Sequence, residues 1–150
     1  MTVVAAVDTN VWVSAFLNPG GHPHRLLAAA RTERFAIVTS LPLLEELHDV
    51  LTRPRVMRIR GTTTTEADVF VGVIASVARF VTVSGNVQVC RDPDDDLLLE
   101  TAILGAASHV VSRDEDVVRD PNVIEFLRPF NIEIATVGRF LARLDDTSQP

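Results

Sequence analysis

The chain has 150 residues, a length that suggests one domain, and 47% of them are hydrophobic against 23% charged. That balance supports a packed core and excludes a disordered or low-complexity chain, with only residues 145–150 reading as a tail. The net charge is −6, all 14 basic residues are Arg, and Cys90 is the only cysteine. An overall basic, phosphate-seeking surface is thereby disfavoured, and an internal disulfide is impossible.

The start of the chain, residues 1–17, is apolar but carries no basic leader, and Asp8 and Asn10 interrupt it. It therefore reads as part of the fold and not as a signal peptide. No stretch approaches the roughly 18 apolar residues of a membrane helix. A cytoplasmic location is expected, and a reducing compartment fits Cys90 as a small buried apolar residue. In chain order, 3–7 is a wholly apolar run that reads as a buried parallel strand. A short helix over 11–16 follows, stopped by Pro19-Gly20-Gly21. Residues 24–34 read as a helix with Leu26, Leu27 and Ala30 inward, preceded by a loop holding His22 and His24. Residues 35–39 form a second strand. Ser40 then caps a helix that runs to about Arg53, where Pro54 halts it. Residues 62–65 form a polar loop and 66–77 a helix. Segments 80–83 and 87–89 are strand-like. A helix over 94–107, a strand over 109–112, a helical turn over 116–119 and a helix over 123–127 follow. A last strand covers 132–136 and a closing helix 137–144. Strands alternate with helices, the pattern of an α/β domain with a parallel sheet covered on both faces. One domain is expected over 1–144.

Ten of the 20 acidic residues lie in four places: Asp8, Glu45–Glu46, the Asp92/Asp94/Asp95/Asp96 run and Asp114–Asp116. Ligands of open parallel sheets gather beyond the carboxyl ends of the strands, where Asp8 and Asp114 should both stand. Each also has a structural explanation. Asp8 can be a helix N-cap, and Ser112-Arg113-Asp114-Glu115 fits a capping box. Helical geometry separates Glu46 from Glu45: Glu46 lies one turn from Leu43 and Val50 at the edge of the apolar face, and Glu45 stacks on Asp49 toward solvent. Asp95 precedes Leu99, Ala102 and Ala106 on an apolar face, whereas Asp94 and Asp96 fall off it. Asp92 before Pro93 reads as an N-cap with proline at the first helical position. A carboxylate on a buried face is costly unless paired or bound to a cation. Four such acids point to a hard divalent ion, Mg²⁺ or Mn²⁺, whereas no His/Cys cluster supports zinc.

The segments Asp8-Thr9-Asn10 after a strand, Leu44-Glu45-Glu46-Leu47, Asp92-Pro93-Asp94-Asp95 and Val110-Val111-Ser112-Arg113-Asp114-Glu115-Asp116 resemble, in order and spacing, those of PIN-domain nucleases. The likeness is strongest to the VapC-like toxin components of toxin–antitoxin pairs and covers about residues 3–138. It implies a three-layer α/β/α sandwich around a mainly parallel sheet of about five strands, and metal-dependent cleavage of RNA. Carried over, Asp8, Glu46, Asp95 and Asp114 form an acidic quartet. Asp8, Asp95, Asp114 and Asp116 serve the metal, and Asn10 and Ser112 orient ligands or water. The implied partners are RNA, a small antitoxin that covers the acidic groove, and a second copy of the chain. Arg53, Arg55, Arg58 and Arg60 form the densest basic stretch, either an RNA-contacting edge or a solvated surface. Trp12 and Phe16 belong either to the monomer core or to an interface. Two other enzyme classes fit less well. A haloacid-dehalogenase-type phosphatase needs an Asp where Asn10 stands, and a receiver domain needs a Lys that the chain lacks. A non-catalytic module on the same fold is the remaining alternative.

Overall fold

Val4–Val7 is apolar at every position, so the strand it forms must be covered on both faces. In the computed structural model, which describes residues 2–148, this strand, β1, lies at the centre of the sheet. The elements that follow are α1 (Thr9–Leu17), α2 (His22–Arg31), β2 (Ala36–Thr39), α3 (Leu41–Leu51), α4 (Pro54–Arg60), α5 (Thr64–Val77) and β3 (Arg79–Phe80). After them come α6 (Pro93–Leu104), β4 (His109–Val111), α7 (Glu115–Arg119), α8 (Pro121–Leu127), a 3₁₀ turn (Arg128–Phe130), β5 (Glu133–Ala135) and α9 (Val137–Ser148). The strand order is β3-β2-β1-β4-β5 and every pairing is parallel, with Ala6 opposite both Val38 and Val110.

Side chains of successive strand residues point to opposite faces, and two cores result. Ala5, Val7, Ile37, Val111 and Ala135 face a core completed by α1, α2, α5, α9 and Leu44, Leu47 and Leu51 of α3. Ala6, Val38 and Val110 face the other, filled by Leu98, Leu99 and Ala102 of α6 and Val123 and Leu127 of α8. This is the expected three-layer sandwich. Trp12 and Phe16 are buried in the first core, Phe16 against Phe70 with ring centroids 5.2 Å apart, so the monomer itself accounts for both. No helix among the described residues is long and apolar enough to cross a membrane.

Several local expectations are corrected. α2 begins at His22, so His22 and His24 lie on its exposed first turn and not in a loop. Ser40 occupies the N-cap of α3 without a side-chain capping bond; its hydroxyl meets Thr101 Oγ1 at 2.9 Å instead. The third strand is only Arg79–Phe80, and 87–89 forms no strand. α6 ends at Leu104, and Ala106, expected on its apolar face, is exposed with φ 51°. α9 continues through 145–148, where a tail was expected, and Asp145 pairs with Arg34 at 2.6 Å. The rest of that tail, Gln149 and Pro150, lies outside the described residues.

Gly105, after the last turn of α6, packs against Val38 of β2. A β-carbon there would stand 2.3 Å from Val38 Cγ2 and 2.9 Å from Val38 Cβ. Valine has little rotamer freedom to yield. Gly105→Ala is expected to destabilise the fold by about 1–3 kcal/mol, the range for overpacking a core. Denaturant unfolding checks this, and the loss should be less than additive when combined with Val38→Ala.

Candidate active site

The sheet connections run outward from β1 through β2 to β3, then return to β4 on the other side of β1. The strand order therefore reverses between β1 and β4, and a crevice opens beyond their carboxyl ends. Asp8 follows β1 directly, its amide donating to Val111 O at 2.8 Å, and Asp114 follows β4 after two residues. Those two acids thus straddle the reversal.

Asp8 sits at the N-cap position of α1 but makes no capping hydrogen bond with its side chain. Its Oδ2 instead accepts from Ser112 Oγ at 2.8 Å. Ser112 is fully buried, and its Oγ also accepts the Asp114 amide at 3.0 Å. One hydroxyl therefore joins the two acids across the reversal. Asn10 Oδ1 accepts the Arg113 amide at 3.3 Å, and the Arg113 guanidinium donates to Ser14 Oγ, so α1 is tied to the β4–α7 turn. The expected capping box is not what starts α7. Asp114 is itself the N-cap, its Oδ1 accepting from the Asp116 amide at 2.9 Å.

Glu46 and Asp95 enter from α3 and α6. Glu46 is half-buried and Glu45 exposed, as helical geometry requires. Asp92 caps α6, accepting the Asp94 amide at 2.9 Å, with Pro93 at the first position. That geometry leaves Asp95 half-buried on the inner side of the first turn. Asp96, expected off the buried face, is buried as well and accepts two loop amides. Arg53, Arg55, Arg58 and Arg60 are all exposed at or along α4. Arg53 pairs with Asp49 at 2.9 Å and Arg60 lies 5.8 Å over the Phe16 ring, which leaves Arg55 and Arg58 without an ion pair among the described residues.

The acids act on one another. Burial raises the Asp8 carboxyl; the Ser112 hydroxyl and the nearby amides of Asn10 and Thr9 oppose that, while the Asp114 charge adds to it, and the balance is upward. Asp95 is pushed up to about 6, first by burial and then by Asp8, Asp92, Asp114 and Asp94. Glu46 is pushed up to about 7, first by burial and then by Asp94, Asp8, Asp92 and Asp95. Asp8, Glu46, Asp95 and Asp114 thus share one electrostatic neighbourhood, and Asp92 and Asp94 belong to it, Asp94 being the foremost charge acting on Glu46. Asp116 is exposed on α7 and is not among the principal charges acting on Asp8, Glu46 or Asp95. Cys90 takes no part: half-buried, its thiol is pushed up to about 12 by burial and by Asp96, so it stays protonated.

Among the described residues no three His, Cys, Asp or Glu side chains close on one point tightly enough to enclose a metal ion. Half-buried carboxylates that raise one another's pKa nevertheless suit a cation held from one side. Mg²⁺ in particular is bound by one or two carboxylates and keeps other positions for water and phosphate oxygens.

With this arrangement the family can be stated. Residues 4–116 match the PIN-domain family model, and the chain belongs to the PIN-domain family, whose members are generally nucleases. Among similar proteins is the uncharacterized protein MJ1680 of Methanocaldococcus jannaschii, 25% identical over 145 residues that span 95% of this chain and 92% of that protein. The fold is shared with a chain in the crystal structure of VapBC2 from Rickettsia felis bound to a promoter DNA fragment. The TM-score is 0.59 at 16% identity, over 89% of this chain and 98% of that one.

The raised carboxyls set a pH dependence. For Glu46, between its ordinary 4.5 and about 7, the folded protein binds more protons than the unfolded one. Stability therefore falls as pH rises through that window. In metal-free protein, Glu46→Gln should raise the thermal midpoint at pH 8, and the gain should shrink as pH is lowered toward 5. Melting curves across pH check it.

Proposed function

We propose that this protein is a divalent-metal-dependent endoribonuclease, acting as the toxin of a toxin–antitoxin pair. The observation that carries this reading is the clustering of mutually raised carboxyls where the strand order reverses, in a PIN-domain chain. In this reading Asp8 and Asp95 hold the main Mg²⁺ or Mn²⁺. Glu46 and Asp114 bind it through water or help hold a second ion, with Asp116 as an outer acid. A bound ion would activate water for attack on the phosphorus and offset the charge that develops on the phosphate and leaving oxygens.

The chain's own residues have defined tasks. Ser112 fixes the rotamer of Asp8 and the turn that carries Asp114. Asn10 holds that turn through the Arg113 amide. Asp92 sets the start of α6 and hence the place of Asp95. No side-chain nucleophile is required, and Cys90, with its raised thiol, is not one. The exposed Arg55 and Arg58 are suited to phosphate contact, because their guanidinium groups have no acidic partner among the described residues. The likeness to the VapBC2 chain supports an antitoxin as partner, and the family resemblance supports a second copy of the chain.

Purified protein incubated with assorted RNAs should cleave in Mg²⁺ or Mn²⁺ and stop in chelator. Asp8→Asn and Asp95→Asn should each lower the rate by more than about 100-fold, beyond the loss typical of outer partners of a metal ligand. Cleavage that survives chelation or both substitutions would overturn the mechanism. A folded wild-type protein that binds RNA and cleaves none would favour the non-catalytic alternative.

A second expectation concerns the basic edge. Arg55→Glu combined with Arg58→Glu should weaken RNA binding and flatten its salt dependence, by about 0.7 in log–log slope for each phosphate that is no longer neutralised. Unaltered binding and slope would remove α4 from the interface.

A further inference from the structure

Two buried carboxylates on α6 have no task in the reaction proposed above. Glu100 is 6% exposed and Asp96 is 9% exposed. They lie one helical turn apart, on one side of the helix. Neither faces a basic side chain in an ion pair among the described residues; both accept backbone amides from the segment 84–90 that precedes the helix. Glu100 Oε2 accepts from Ser84 N at 2.6 Å and Ser84 Oγ at 2.9 Å, and its Oε1 accepts from Gly85 N at 2.9 Å. Asp96 Oδ1 accepts from Val89 N at 2.9 Å and Cys90 N at 2.7 Å. Gly85 has φ 82°, a conformation open to glycine at little cost, at the bend where the chain meets Glu100. Burial raises the Glu100 carboxyl, but the Ser84 and Gly85 bonds, with the Asn86 amide, outweigh it and hold the group below its ordinary value, so it is ionised.

Packing holds this segment only in part: Val87, Val89 and Cys90 are partly buried against the second core, and Ser84, Gly85, Asn86 and Gln88 are exposed. A cavity of about 390 Å³ lies between it and α6, lined by Val87, Cys90, Leu97 and the two acids among others. The two carboxylates fasten the backbone of the segment, and bonds to an ionised acceptor are roughly twice as strong as neutral ones. The fastened segment ends at Cys90, two residues before Asp92, the cap that starts the first turn of α6.

That first turn carries Asp92, Asp94 and Asp95 toward the charges of Asp8, Glu46 and Asp114. Without a bound cation the charges push the turn outward, and helix termini open locally at little cost. We propose that Glu100, assisted by Asp96, is a positioning residue: it straps segment 84–90 to α6 and so holds the first turn, with Asp95, in the acidic site against the repulsion of the other carboxylates. The inference rests on the metal-binding reading of that site only for its functional consequence; the strap itself is a matter of hydrogen bonds.

Hydrogen exchange and Mn²⁺ binding, measured on wild type, Glu100→Gln and Ser84→Ala, test it. Glu100→Gln exchanges an acceptor oxygen for an amide group facing amide donors. In metal-free protein it should speed exchange at the Asp94, Asp95 and Asp96 amides and leave the β1 and β4 amides slow. It should also weaken Mn²⁺ binding by about 10- to 100-fold, the range for partners that orient a metal ligand. Ser84→Ala, which removes the one side-chain hydroxyl bond to Glu100 and keeps the amide bonds, should act in the same direction and less. Exchange that accelerates equally throughout Glu100→Gln, with Ser84→Ala unaltered, would reduce Glu100 to general stability and overturn the proposal. So would unchanged first-turn exchange in both variants. If the wild type binds no Mn²⁺ at all, the metal reading falls, while the exchange results still decide the strap.

Discussion

Like charges gathered at one place are the constraint on which the rest of this structure depends. Parallel strands all end on the same rim, and the reversal of strand order between β1 and β4 opens a crevice there. Into it the chain directs acids from two strand ends and two helices. Asp8, Glu46 and Asp95 are costly to bury there and costly beside the other acids, and all three are shifted upward. The surrounding bonds serve to keep them there. Ser112 clamps Asp8 on one side and the Asp114 amide on the other, at the cost of a fully buried hydroxyl. Asp92 and Asp114 each cap a helix and so fix the backbone of the turn that follows.

Much of this was legible in the amino-acid order, because the strongest signals were local. Apolar runs marked β1, β2 and β4, and the 3.6-residue period marked α3 and α6 and chose Glu46 over Glu45. Proline after Asp92 announced the cap. What failed to read correctly depended on partners distant in sequence. Residues 80–83 and 87–89 have strand-like side chains, but a strand exists only where a neighbour supplies its ladder. β3 ends at Phe80, opposite Thr39 at the end of β2. Beyond it the amides of Ser84, Gly85, Val89 and Cys90 turn to carboxylates on α6. For the same reason the helical period placed Asp96 toward solvent, because periodicity could not show that a loop covers that side. Glu100 was missed altogether. Its one local signal is that it is the only charged residue between Leu97 and Leu104.

Side chains at the starts of helices divide in an informative way. Asp92 and Asp114 do cap, whereas Asp8 and Ser40 occupy cap positions and spend their side chains elsewhere, on Ser112 and on Thr101. Asp8 makes no capping bond and gives one carboxylate oxygen to the Ser112 hydroxyl instead. Asp114 remains the acid with the most complete structural role, and its exposed side chain still adds charge to Asp8 and Asp95.

The two margins of the sheet bear on how copies of this chain can meet. β3 contributes two residues and β5 three, one of them the exposed Glu133. Edges so short present few unpaired amides and carbonyls, and a charge on the margin further discourages strand addition. A continuous sheet running from one molecule into the next is therefore disfavoured by length alone.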